Sequence, residues 1–268
     1  MFDERVSFSI KPGALHVGTA GWSIPRECAA NFGDTGPHIE RYSQFLPCAE
    51  IDSSFYRSHR PGTYAKWAAT VPENFLFSVK APKTITHLSG LAPSRTLFES
   101  FFEEIAPLGE KLGPLLFQFP PKQGFEEPRV RAFLTLFRDT YPDGQAAFEP
   151  RHASWFCDEA NELLAEFRVA RVVADPPRAQ QAIESAGCAG PVYYRLHGSP
   201  RVYYSSYSEE RLKELAGKLS NYHPGAAIWC IFDNTASGAA LGNALTLIHL
   251  LEGQTQDDCG SLRSRTGH

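Results

Sequence analysis

No run of eighteen consecutive apolar residues occurs in this 268-residue chain, and its first fifteen residues, MFDERVSFSIKPGAL, carry charges where a signal peptide needs an apolar stretch. Neither a membrane span nor a cleaved leader is expected, so the chain reads as cytoplasmic and without a membrane partner. A C-x-x-C pair is also missing. The six cysteines (Cys28, Cys48, Cys157, Cys188, Cys230, Cys259) are far apart, which excludes a cysteine zinc clamp or a dithiol redox motif and leaves reduced thiols. Charge of one sign is lacking too. With 26 basic and 30 acidic residues the formal charge is −4, so no global field draws the protein onto duplex nucleic acid or an anionic membrane, and any anion site is local. The only short glycine signal, GTAGW, falls short of G-x-G-x-x-G, and the serines of DSSFY sit in no G-x-S-x-G elbow. A dinucleotide fold with an organic cofactor and a serine-hydrolase triad are not expected.

Eight short β-rich runs are present: 14–20, 48–55, 75–81, 114–119, 145–150, 169–175, 192–198 and 227–233. Segments of helical period separate them, such as LFESFFEEIAPLGEKL, VRAFLTLFRDTY and EERLKELAGKLSNY. Strict β/α alternation requires a parallel sheet, and eight repeats close into a single α/β barrel of the (β/α)8 or TIM-like type. One domain over residues 1–252 is expected. Residues 253–268, GQTQDDCGSLRSRTGH, lack periodicity and read as a disordered tail.

Turns entering the strands are short, whereas segments leaving them are long, notably 21–37, 81–93 and 198–208. Barrel chemistry sits on such exits. Alternation along the strands puts one parity inside. The inward set is expected to hold Tyr193, Arg195 and His197, with Glu50, Asp52 and Ser54, Ser78 and Lys80, Gln118, and Glu149 followed by Arg151. Asp175 and Asp233 are added at strand ends. Buried charge must be paired, and an ion-pair network among Glu149, Arg151, Arg195 and Asp175 meets that demand without catalysis.

The stretches GTAGWSIP, EIDSSFYRSHRPGTYAKWAATVPENFLFSVKAPKTITH, FEPRHASW, YYRLHGSPRVYYSSY and FDNTASGAALGNAL, in that order from about residue 14 to 252, resemble the DUF72 or YecE-like family. The resemblance implies a TIM-like barrel with its site at the mouth and leaves the reaction open. It carries over Glu50, Ser53, Ser54, Tyr56 and Arg57 around the second strand, and Lys80, Thr86 and His87 after the third. Glu149, Arg151 and His152 follow the fifth strand, Arg195, His197 and Gly198 belong to the seventh, and Asn234 follows the eighth. Asp52 departs from the pattern, where Asn is commoner.

The leading expectation is an enzyme, a hydrolase, lyase or isomerase, acting on a small anionic, phosphorylated or sugar-like substrate. Glu149, His197, Asp175 and Lys80 are its candidate catalytic groups, since imidazole and carboxylate supply acid and base. Arg151, Arg195, Glu50, Ser54, Tyr56, Arg57, His87, His152, Asn234, Trp22 and Tyr204 are its candidate binding groups. On this reading Arg195 holds an anion or a carboxylate, and Arg195→Ala leaves the protein folded but unable to bind. Glu149, Asp175 and His197 could alternatively hold a divalent metal, as in endonuclease IV-like phosphodiesterases. The mouth aromatics with Arg57, Arg60 and Arg201 also allow a non-catalytic barrel binding single-stranded nucleic acid.

Overall fold

The computed structural model describes residues 15–177, 186–187, 191–223 and 225–264. The charged N-terminus through residue 14, residues 178–185, residues 188–190 with Cys188, Pro224 and the last four residues lie outside the described set. Parallel strands β1 (Leu15–Ala20), β2 (Cys48–Ile51), β3 (Leu76–Lys80), β4 (Leu112–Gln118) and β5 (Ala146–Glu149) follow one another in space. The next segment divides into β6 (Ala170–Arg171) and β7 (Val173–Asp175). Its first half pairs with β5 and its second with β9 (Val192–Leu196), which pairs with β10 (Ile228–Phe232), and β10 returns to β1. The two ends of the sheet order are thus halves of one extended segment, and the sheet comes round on itself as a TIM-like barrel. A two-residue strand β8 (Ala186–Gly187), absent from the sequence expectation, adds antiparallel to β6.

Helices α1 (His38–Tyr42), α2 (Pro61–Thr70), α3 (Arg95–Ile105), α4 (Glu127–Thr140), α5 (Asp158–Glu166), α6 (Glu209–Ser220) and α7 (Ala239–Ser264) surround the strands. The local chemistry of α6 is typical. Ser208 caps it by accepting from the Arg211 N–H, Glu209 and Glu210 face the positive end of its dipole, and Leu212, Leu215, Ala216 and Leu219 form the buried stripe. On α4 the same spacing buries Val130, Phe133, Leu134 and Phe137, and the two phenylalanines meet Phe98 and Phe117, with Phe133 also against Phe148. The last helix runs through Ser264. Among the described residues no helix is long and apolar enough to cross a membrane.

The barrel interior has an apolar floor and a polar top. Trp229 and Tyr193 lie parallel with centroids 6.3 Å apart, among Cys48, Leu116, Ala147, Ala170, Val172 and Ile231. Gly113 makes room for Trp229, because a Cβ there would stand 2.5 Å from the indole. Above this floor the inward positions turn charged.

Candidate active site at the barrel mouth

Arg195, fully buried on β9, organises the top of the barrel. Its Nη2 donates to Glu50 Oε1 at 2.7 Å and to Asp52 Oδ1 at 3.3 Å, and its Nε reaches Glu50 Oε2 at 3.1 Å. Nη1 completes the set with Glu149 Oε2 at 3.2 Å and Asp233 Oδ2 at 3.1 Å. An unpaired guanidinium here would cost several kcal/mol, and four carboxylates on three strands offset that cost. Every arm of Arg195 is therefore engaged by the protein itself, so it meets carboxylates and has no free face for an external anion.

Glu149 is the second hub. Its Oε1 accepts from Arg151 Nη2 at 3.0 Å and lies 2.7 Å from His197 Nε2, while Oε2 accepts from Gln118 at 2.8 Å as well as from Arg195. Burial alone would raise this carboxyl, but the charges of His197, Arg195 and Arg151 outweigh it and hold Glu149 well below the usual carboxylate range. Asp233, 2.9 Å from His197 Nδ1, is likewise lowered: burial opposes, and Arg195 and His197 prevail. Glu50 goes the other way. Burial lifts it against the pull of Arg195, with Asp52 adding repulsion. The Tyr193 hydroxyl donates to Glu50 at 2.9 Å and joins it to Ser78 below.

His197 lies between two carboxylates, with Asp233 at Nδ1 and Glu149 at Nε2, and which ring nitrogen carries the proton depends on the tautomer. Arg151 Nη2 stands 3.2 Å from the same Nε2. On the β2 and β3 side, Lys80 donates to Asp52 at 2.8 Å and lies 4.3 Å from the centre of the Phe55 ring. His87 packs edge-on to Phe55, and its imidazole is lowered by burial and then by the charges of Lys80, Arg151 and Lys122. The outer mouth is thus electropositive at His87, although the deeper charges are internally paired.

The remaining expected residues are distributed as follows. Ser54 is buried and ties β2 to β3 through Ile51 O at 2.8 Å and Lys80 O at 2.7 Å. Asn234, also buried, donates to Ser205 O and Asn243 Oδ1, both at 2.9 Å, and so joins the loops after β9 and β10. Tyr56 and Arg57 are exposed on the rim, with Tyr56 edge-on to Phe55. Tyr204 lies beneath the Arg201 guanidinium, 3.9 Å from ring centre to Cζ. His152 caps the short turn Ala153–Trp155 through Ser154, a local structural task.

Two expectations are corrected. Asp175 is in register with the outward Leu196 and pairs with Arg211 of α6 at 3.1 Å; the inward position is Ala174, in register with Arg195. Trp22 follows Gly21, whose positive φ of 74° turns the chain outward, and packs edge-on against Trp67 of α2 and Phe77. Neither reaches the mouth. The metal set Glu149, Asp175 and His197 is consequently not assembled, and its two inward members hydrogen-bond each other and guanidinium groups. Among the described residues no group of three or more His, Cys, Asp or Glu side chains is disposed to hold a metal ion.

Sequence reasoning placed Tyr203 among the mouth aromatics, with the tyrosines after Gly198 walling one side, and did not say which of them meets His197. The Tyr203 ring meets His197 edge-on with centroids 5.7 Å apart, and its N–H donates to His197 O at 2.5 Å. Its φ of +70° is uncommon for a residue with a Cβ. No local sequence signal announces such a conformation at a tyrosine.

The family model described as "Protein of unknown function DUF72" matches residues 16–265. The chain belongs to the DUF72 family. Among curated DUF72 relatives, the UPF0759 protein YunF of Bacillus subtilis is 25% identical over 89% of this chain and 95% of its own length. The UPF0759 protein YecE of Escherichia coli K12 is 27% identical over 60% of this chain and 59% of its own. The crystal structure of a DUF72 protein from Thermotoga maritima superposes with a TM-score of 0.74 at 25% identity, covering 89% of this chain and 99% of that one. A DUF72 protein from Enterococcus faecalis gives 0.73 at 22% identity, covering 89% and 96%. These solved DUF72 structures share the barrel architecture of this chain.

Proposed function

We propose that this DUF72 protein is an enzyme that binds a small anionic, phosphorylated or sugar-like substrate at the C-terminal mouth of the barrel and acts on it by proton transfer. The observation that carries this reading is His197 held between Glu149 at 2.7 Å and Asp233 at 2.9 Å, with Arg151 against the same ring nitrogen. An imidazole with a carboxylate at each ring nitrogen beneath a mouth is suited to passing a proton between them and a bound substrate. Lys80 and Arg151 are the groups proposed to meet the anion, supported by the positive field felt at His87. Arg195 has the supporting task of keeping Glu149 and Asp233 ionised. The split between a lowered Glu149 and a raised Glu50 is the pattern that separates basic from acidic roles in one site.

Thermal stabilisation by millimolar inorganic phosphate and by glucose 6-phosphate tests the reading in the wild type and in a Lys80→Met/Arg151→Met double variant. The expected result is a rise in Tm of several degrees in the wild type that disappears in the variant. No rise with either compound overturns it. A second reading, single-stranded nucleic acid at the rim, is favoured only by Arg201 stacked on the exposed Tyr204. An oligothymidylate that binds tightly, with affinity falling steeply as salt is added, would support that reading instead.

A further inference from the structure

Tyr203 combines three features. Its backbone is left-handed, its ring is exposed at 38%, and that ring stands edge-on to His197 with centroids 5.7 Å apart. Tyrosine at positive φ persists only where the surroundings over-determine it, and such positions gather at functional sites. The surroundings are visible. Tyr203 N donates to His197 O at 2.5 Å, Ala236 N donates to Tyr203 O at 3.0 Å, and the next two N–H groups, of Tyr204 and Ser205, both turn back onto Arg201 O. Asn234 and Ser237 secure the flanking carbonyls of Ser205 and Tyr204. Gly198 begins this loop at φ +89°, where a Cβ would stand 2.8 Å from Ser205 O. The loop is thus built to present one aromatic ring.

Opposite the β9 side, Phe55 forms a second aromatic surface, with Lys80 over its ring and His87 at its edge. Near these rings stand donors from Lys80 and Arg151 and acceptors from Asp52 and Asp233, of which Asp52 is the most open at 26% and the others are largely buried. Aromatic faces with donors and acceptors beside them suit a ligand having apolar ring faces and hydroxyl edges, whereas phosphate alone needs only the cations.

We infer that Tyr203 is the specificity-determining wall of the mouth, selecting a polyhydroxylated ring that bears an anionic group. This rests on the anionic-substrate reading above and names its substrate class as a cyclic sugar phosphate. Tyr203 acts on the ring, and Lys80 with Arg151 acts on the charge.

The test is the ratio of affinities for glucose 6-phosphate and inorganic phosphate, measured by calorimetry on the full chain, with adenosine monophosphate as a planar comparator. Tyr203→Asn removes the ring and keeps a residue that accepts left-handed φ. It should weaken glucose 6-phosphate by about tenfold and leave inorganic phosphate within about twofold. Tyr203→Phe should keep the wild-type ratio. If Tyr203→Asn weakens both ligands equally, or if the ratio is unchanged in a second ring-less variant, Tyr203→Gly, the wall assignment is overturned while the anionic reading stands. Tighter binding of adenosine monophosphate than of the sugar phosphate overturns the substrate class. Failure of the wild type to bind inorganic phosphate and both organic phosphates removes the underlying reading and this inference with it.

Discussion

Arg195 Nη2 lies 2.7 Å from Glu50 Oε1, and neither side chain reaches solvent. The pair joins β9 to β2 across the barrel interior, and Arg195 carries Glu149, Asp233 and Asp52 on its remaining positions. Removing the guanidinium strands several buried carboxylates at once, which reverses the expectation that Arg195→Ala stays folded. The variant should lose about 3–5 kcal/mol, seen as a Tm lower by roughly 10 °C or as loss of soluble protein. Chemical denaturation of Arg195→Ala beside wild type checks this, and an unchanged midpoint would contradict the network described here.

His16, packed on Trp229 with ring centroids 4.6 Å apart, is lowered by burial to about 4. Its folded-state value lies below the ordinary histidine value of 6.5, so the unfolded chain binds the extra proton first. The stability it contributes is complete above pH 6.5 and is lost as pH falls toward 4, by up to about 3 kcal/mol. His16→Phe keeps a ring against Trp229 and cannot titrate. Urea unfolding from pH 7 to 4 should fall less steeply in the variant, and parallel curves would show that His16 is not the group responsible.

Gly198→Ala places a methyl group 2.8 Å from Ser205 O at a backbone φ of +89°. The strain is about 1–3 kcal/mol. A Tm several degrees below wild type is expected, with weaker glucose 6-phosphate binding because the loop presenting Tyr203 must shift. A variant as stable as wild type would mean that the loop relaxes freely.

Trp22 and Asp175 supply the converse control. Trp22→Ala should lower stability by about 2 kcal/mol through lost packing on Trp67 and Phe77. Asp175→Asn should cost under about 1 kcal/mol, as expected for a partly exposed ion pair with Arg211. Both should bind phosphate ligands as wild type does. A selective loss of binding in either would place it back in the mouth.

The barrel was legible in the chain because β/α alternation and period-two patterning are local properties, and the number of repeats constrains closure. The same period put Arg195 and His197 on one face of β9 and Glu50 on the matching face of β2. It could not orient the 169–175 segment. Strands covered on both faces are apolar at both parities, so either Val172 and Ala174 or Val173 and Asp175 could face the axis. Only the register of Ala174 beside Arg195 decided it. The direction of Trp22 depended on one positive φ at Gly21, and the use of Tyr203 on another at the tyrosine itself. Most of all, sequence could say which charges entered the barrel and not how they would pair. Pairing is set by distances between strands up to 145 residues apart in the chain, and those distances decided that Arg195, expected to hold an anion or a carboxylate, is the internal partner of four carboxylates.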